Sequence, residues 1–491
     1  MSLVAGVDSS TQSCKVVVVD SSTGQTVRTG KASHPDGTEI HPSLWWEALS
    51  AAMHDAGGLA DVSAISIAGQ QHGMVLLDSA GQVIRPAMLW NDTRSAQSAT
   101  DLITELGAAE LASRCGSVPV ASLTITKVRW VRDHEPSHAA RVAAVALPHD
   151  WLTWRLRGYG PAGESPLGPD LEQLTTDRSD ASGTGYWSPH LESYDLELFE
   201  IALGRSAREA DPQASSAASS VVILPRVAGP AESVGTVHGS LFDRTTDDVV
   251  TIGAGAGDNA AGALGLGAAA GDMVVSVGTS GTVFAVAEQP SSDTSGTIAG
   301  FADASGSFLP IAVTLNAARI LSSVSSLLDV SFDEFAELAL AAQPGSDGVV
   351  LVPYFEGERT PNLPHAKASF HGLSISSTTR ENISRAAIEG MLCGLASGLG
   401  AITATGVAAK RLLLIGGAVQ NAAVQVVAGQ VFDVPVVIPK PGEYVARGAA
   451  VQAAWMLHGE RPDWPLETIV SPVADFRPEI LTNYQEAAHK A

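Results

Sequence analysis

Cysteine is nearly absent from this 491-residue chain: Cys14, Cys115 and Cys393 are its only three, and they lie far apart in unrelated settings. That count excludes a disulfide framework and a cysteine metal site, fits a reducing compartment, and predicts three buried small hydrophobes. Positive charge is also scarce. Lys and Arg number 29 against 52 Asp and Glu, and the net charge of -23 repels phosphate backbones and anionic head groups. Nucleic acid and membrane are therefore not expected as partners. No apolar run reads as long as the ~20 residues of a membrane span, and the opening Met1 to Asp8 lacks a basic region followed by an apolar core. A soluble cytoplasmic protein is the expectation. Low-complexity tracts are missing as well. With 45% hydrophobic and 16% charged residues, the chain reads as globular, with enough length for about two to four domains.

What is present starts with a strand, turn and strand: Leu3 to Val7, the hydroxyl-rich turn Asp8 to Ser13, then Lys15 to Val19. The unit recurs at Met273 to Val277, Gly278-Thr279-Ser280-Gly281 and Thr282 to Val286. A repeated hairpin with a small polar tip predicts two related halves facing each other across a cleft, divided here into residues 1–246 and 247–491. Strands at Val62 to Ala68, Val249 to Ile252, Val349 to Val352 and Arg411 to Ile415 alternate with helical patterns, which argues for an α/β fold with partly parallel sheets. The pattern after Arg380 predicts a mostly buried helix. Gly158 to Ser188 and Ala207 to Gly235, rich in Gly, Pro, Ser and Ala, read as loops. Trp45-Trp46 reads as core on an amphipathic helix.

Residues 252–262 run from a strand end through a glycine-rich turn into a helix. Gly255, Gly257 and Ala260 fit a GxGxxA dinucleotide fingerprint, but the carboxylate of Asp258 would stand where a pyrophosphate should rest. A second reading makes Asp258 a general base, with its ionised form favoured at the helix start and the glycines leaving room for a substrate hydroxyl. A third makes it an N-cap. Asp8, at the end of the first strand, suits a carboxylate that holds Mg²⁺ through water beside a phosphate-cradling turn, or an Asx-turn residue. An anionic protein that admits phosphates needs such a cation. No Walker GxxxxGK[ST] occurs, so hairpin tips and helix starts must serve phosphate instead. Gly416-Gly417, ahead of a helix carrying Gln420 and Asn421, leaves backbone room for an adenosine, although close helix–strand packing asks for the same glycines. Gln70-Gln71-His72-Gly73 and Trp90-Asn91-Asp92 put polar groups at strand ends, which suits a polyol; a lone His there can equally be structural.

Taken together these segments resemble the FGGY carbohydrate kinases over nearly the whole chain. Ser122 to Trp130 is similar to the family's first signature, and Phe370-His371-Gly372-Leu373 with Asn382 to Glu389 to its second. Gly69 to Gly73, Leu89 to Asp92, Gly257 to Gly262, Gly278 to Gly281 and Gly357-Glu358-Arg359-Thr360-Pro361 follow in the family's order. The resemblance implies two ribonuclease-H-like, actin-like ATPase domains flanking a central cleft, the N-terminal one for sugar and the C-terminal one for ATP. It implies phosphoryl transfer from MgATP to a pentulose, D-xylulose to D-xylulose 5-phosphate, with ribulose or arabinitol as rival acceptors. A non-catalytic sugar or nucleotide sensor on the same fold is the reading from another class, and retention of both Asp8 and Asp258 opposes it.

Carried over residue by residue, Asp258 accepts the sugar hydroxyl proton, and Asp8 is associated with Mg²⁺ and the sugar. Gln71 and His72 contact the sugar. Thr11, Gly278 and Thr279 lie at the phosphates; Gly416, Gly417 and Asn421 lie at the adenosine. The family also suggests a homodimer. Many relatives carry Met where Gln71 stands, so a hydrogen-bonding side chain there is expected to influence which pentulose is preferred. Glu443 to Ala449 only loosely follows the family's glycine-rich stretch, and Gly160 to Thr175 looks longer than usual, as a disordered surface loop would.

Overall fold

The β-branched strands Leu3–Ser9 and Ser13–Asp20 pair antiparallel, with Ser9 opposite Cys14, so residues 10–12 form the hairpin tip. The computed structural model describes residues 2–214, 220–241 and 249–490. In it the hairpin recurs as predicted: Asp272–Val277 pairs with Gly281–Ala285, Val277 opposite Gly281. Each hairpin is extended in the same way. In the first sheet Thr26–Ser33 adds antiparallel to the second strand, Val62–Gly69 adds parallel to the first, and Thr251–Gly253 adds parallel beyond it. In the second, Phe308–Thr314 adds antiparallel, then Arg411–Ile415 and Val436–Pro439 add parallel on the other side. Two sheets of one topology form the paired ribonuclease-H-like architecture.

The first sheet keeps the chain further than residue 246, because Thr251–Gly253 and Ala256–Gly257 both pair with Val62–Gly69. The second sheet begins at Asp272. The helix Asp258–Gly265 therefore carries the chain between the sheets. A late helix, Tyr444–His458, returns to pack on it and on the first strand. Glycines make that approach possible: a Cβ at Gly265 would strike the Tyr444 carbonyl, one at Gly448 the Ala261 carbonyl, and one at Gly6 the Ala446 carbonyl.

Several expectations hold locally. All three cysteines are free and buried, and Trp45 is wholly buried on the helix Pro42–Asp55. The loop near residue 160 lies at the surface as expected but is ordered, closed by the Gly160 amide donating to the Gly168 carbonyl at 3.0 Å and followed by the helical turn Leu171–Gln173. Two expectations need correction. Residues 174–189 are buried throughout, and include the strand Thr175–Asp177 and the helix Arg178–Ser182. Within 207–235 the strands Ala207–Glu209 and Val222–Leu224 pair parallel, while residues 215–219 lie outside the described set. The helix Arg380–Ala404 is also long and apolar enough, by length and composition, to cross a membrane. Here it is a core element: most of it is buried in the fold, and its buried charges Arg385 and Glu389 pair with each other at 2.7 Å. An apolar helix wrapped by protein on most sides passes the same test as a membrane span.

Candidate active site

Gly257 caps the helix with extended backbone, which makes Asp258 its first residue and removes the N-cap reading. The turn before it is gripped from several directions. Gln452, on the late helix, accepts from the Gly255 amide at 2.9 Å, donates to the Gly255 carbonyl at 2.8 Å, and accepts from Ser66 Oγ at 2.5 Å. Gly255 has φ +90 and lies so close to the His149 ring that no side chain fits. The Gly257 amide donates to Ser179 Oγ at 3.0 Å, and that hydroxyl donates to Asp177 at 2.6 Å. Asp258 Oδ1 accepts from the Asn259 amide at 2.8 Å and from Asn259 Nδ2 at 3.0 Å, and among the described residues Oδ2 has no side-chain partner. Burial, then the nearby Asp8 carboxylate, lift the Asp258 pKa to about 7. A carboxylate poised there can take up a proton near neutral pH.

Asp258 and Asn259 line two cavities at once. The smaller, about 230 Å³, also has Gln71, His72, Thr11, Trp90 and Arg359 in its wall. Gln71 is fixed by donating to the Ser179 carbonyl and accepting from Asn259 Nδ2, both at 3.3 Å. His72 has φ +68. Its Nδ1 lies 2.8 Å from the Gly183 carbonyl, so Nδ1 carries the proton and Nε2 remains an acceptor. Burial, then Lys127, hold the His72 pKa at about 3, so the ring is neutral. Lys127, fully buried within the first signature, donates to the carbonyls of His72 and Ser122. The Trp90 indole donates to Thr11 Oγ1 at 2.9 Å. Such a wall, with hydrogen-bonding groups and no free carboxylate except the base, suits a neutral polyol.

The larger cavity, about 750 Å³, is lined by Asp8, Lys15, Asp258, Gly416, Gly417, Gln420 and Tyr444 among others. Asp8 lies within its strand rather than in a turn, is 4% exposed, and its Oδ1 has no hydrogen-bond partner. Burial raises the Asp8 pKa to about 6 despite Lys15, whose Nζ lies 3.9 Å away and 2.6 Å from Glu443. An orphaned, buried carboxylate oxygen facing a cavity fits a divalent cation. Gly416 has φ +110 and presses on the backbone of Val277, whereas a Cβ at Gly417 would meet open space. Gly416 is thus there for packing and Gly417 leaves room.

Below the base, His149, Asp150 and Asp180 form a wholly buried cluster with Asp177. His149 Nδ1 is 2.7 Å from Asp180, and Nε2 is 3.3 Å from Asp150 and 3.9 Å from Asp177. Burial opposes charge on the ring, but Asp150, Asp180 and Asp177 outweigh it and raise the His149 pKa to about 9. A protonated His149 therefore neutralises Asp177, which caps the helix Arg178–Ser182 and holds Ser179; Asp180, within that helix; and Asp150, which accepts from the Leu147 amide at the start of the helix Pro148–Leu156.

Most of the residues singled out from the sequence meet at these two cavities. Thr11 lines the smaller one. Gly278 and Thr279 form the second hairpin tip, where Ser280 and Thr282 line the smaller cavity and Ser276 the larger. Asn421 lines neither; its Oδ1 accepts from the amides of Ala423 and Val424, capping the helix Ala422–Val431. Sequence reasoning missed Ser179, Gln452 and the His149 cluster. Asp177 and Ser179 had a signal, the Asx cap two residues ahead of its amide partner; Gln452 had none.

Comparison with known proteins agrees with this geometry. Residues 3–265 match the N-terminal domain of the FGGY family of carbohydrate kinases, and residues 273–457 its C-terminal domain. The chain is 45% identical to a xylulose kinase of Streptomyces coelicolor, covering 93% of this chain and 89% of that protein. It is 43% identical to a xylulose kinase of Streptomyces rubiginosus, covering 96% and 92%. The crystal structure of xylulose kinase from Bifidobacterium adolescentis superposes with a TM-score of 0.91 at 44% identity, covering 99% of both chains. With both halves matched and the paired sheets enclosing a carboxylate between two cavities, the chain belongs to the FGGY family of carbohydrate kinases.

Proposed function

We propose that the protein transfers the γ-phosphoryl group of ATP to D-xylulose, giving D-xylulose 5-phosphate and ADP. The observation that carries this reading is that Asp258 lines both the smaller, hydrogen-bonding cavity and the larger one. Xylulose fits the smaller cavity, against Gln71 and His72. The nucleotide fits the larger cavity, with adenosine toward Gly416-Gly417 and the helix capped by Asn421, and phosphates toward Thr11, Gly278 and Thr279. Asp8, through its unpartnered Oδ1, would hold Mg²⁺, which supplies charge neutralisation on the phosphates when bound. Asp258 accepts the proton of the sugar hydroxyl as that oxygen bonds to the γ-phosphorus and the bond to ADP breaks. Most of the acceleration then comes from in-line positioning and a site that excludes water. The N-terminal half serves the sugar and the C-terminal half ATP. A soluble cytoplasmic enzyme, assembled as a homodimer, completes the proposal.

The test is a coupled ADP-release assay with MgATP against xylulose, ribulose, arabinitol, glycerol and gluconate. Highest kcat/KM on xylulose supports the assignment. A higher value on another polyol moves the substrate and leaves Asp258 as base; no turnover on any removes the kinase reading.

A further inference from the structure

Arg359 stands apart from the other cations of the cleft. It lines the smaller cavity, on a segment from the C-terminal half, together with Gln71 and His72. Its charge is felt at His72, whose pKa it helps to lower. Among the described residues its guanidinium has neither an ion-pair nor a hydrogen-bond partner, and burial alone perturbs it. By contrast Lys15, in the larger cavity, is paired with Glu443. The backbone around Arg359 is firmly anchored. Glu358 accepts from the amides of Leu315 and Arg359, both at 2.7 Å, and from Asn316 Nδ2 at 2.9 Å; Thr360 Oγ1 donates to the Val313 carbonyl at 2.9 Å. The fold thus fixes the root of a side chain whose charged end it leaves unpaired.

A half-buried guanidinium that lines the acceptor cavity and has no protein partner is available to an anion, and a neutral sugar gives it little. Apart from the Asp258 carboxylate, negative charge reaches this cavity when the phosphoryl group arrives on the sugar oxygen. We propose that Arg359 is a catalytic residue that binds the phosphoryl group as it passes to the acceptor and then holds the sugar phosphate. The guanidinium fork matches two phosphoryl oxygens. It neither gives nor takes a proton: the hydroxyl proton goes to Asp258, the new O–P bond forms, and the departing ADP takes the electron pair of the bond that breaks. An interaction made late raises kcat rather than sugar affinity.

This inference rests on the sugar-kinase reading, and binding measurements separate the two. In the full-length protein, Arg359→Gln and Arg359→Lys are compared with the parent for ADP release, for xylulose binding and for xylulose 5-phosphate binding by calorimetry. Arg359→Gln is expected to lower kcat about 100-fold or more, change xylulose affinity less than about 3-fold, and weaken xylulose 5-phosphate binding about 10-fold or more, with Arg359→Lys between. Unchanged sugar phosphate affinity in Arg359→Gln overturns the proposal, as does a loss of xylulose affinity that matches the loss of kcat. If the parent turns over no sugar, the kinase reading fails by itself, and the sugar phosphate titration still decides whether Arg359 is a phosphate ligand. Lysine keeps the charge and stem, so loss of phosphate binding in glutamine alone is not a folding effect.

Discussion

Gln71 and Asn259 meet side chain to side chain at 3.3 Å, which ties the wall of the smaller cavity to the residue that holds Asp258. The other end of the Gln71 amide donates to the Ser179 carbonyl. A methionine can make neither bond. Gln71→Met is expected to lower kcat/KM for xylulose about 30-fold, as two bonds of roughly 1 kcal/mol each would suggest, and to shift the xylulose-to-ribulose ratio more than the KM for ATP. Parallel kinetics on the two sugars checks this, and an unchanged ratio would show that Gln71 does not read the acceptor.

Asp258→Asn removes the base but keeps the shape. Turnover is expected to fall about 1,000-fold or more while ATP affinity changes little, because the carboxylate acts on the sugar hydroxyl. In the parent, kcat should rise with pH through about 7 and then level off as Asp258 ionises. Stability runs the other way. An acid whose folded pKa is raised contributes stability below its ordinary value near 3.8 and loses it as pH rises to about 7. Asp258→Asn should therefore melt higher than the parent at pH 8 and show no such gain at pH 4. Equal melting shifts at both pH values would mean that the site does not penalise the charge.

The halves of the fold were legible because each hairpin announces itself in a few adjacent residues: β-branched strands around a small hydroxyl tip. Asp258 was legible for a similar reason, since the glycines beside it are local. Residues 174–189 misled, because Thr175, Thr176, Asp177, Ser179 and Asp180 have the composition of a loop, while the strand Thr175–Asp177 pairs with the distant Arg226–Ala228 and Asp177, Ser179 and Asp180 bond to one another and to His149. Gln452 meets Gly255 from 197 positions away, a contact that no window of sequence contains. Asn421 shows the reverse: the residue type suggested a ligand, and its side chain is engaged by the helix it starts.

Gly448 has no side chain, and for that reason it packs tightly against the helix that carries the base. A methyl there would collide with the Ala261 carbonyl on the helix that begins at Asp258. Gly448→Ala is expected to push the two helices apart, at a cost of about 1–3 kcal/mol, and to lower kcat with it. Thermal unfolding and steady-state kinetics on one preparation check the pairing of effects. Full activity in a destabilised variant would show that Asp258 does not follow its helix.

His149 gives the sharpest pH test of the support beneath the site. Its folded pKa is raised, to about 9, so its contribution to stability is complete below the ordinary value near 6.5 and is lost as pH rises through 9. Replacing it with leucine leaves Asp150, Asp177 and Asp180 without their cation, and breaking such a buried pair costs about 3–5 kcal/mol. His149→Leu should therefore be far less stable than the parent at pH 6, and the gap should narrow at pH 9.5. Denaturant unfolding at the two pH values measures it. A gap of the same size at both would mean that the ring supports the Gly255 turn by its shape and not by its charge.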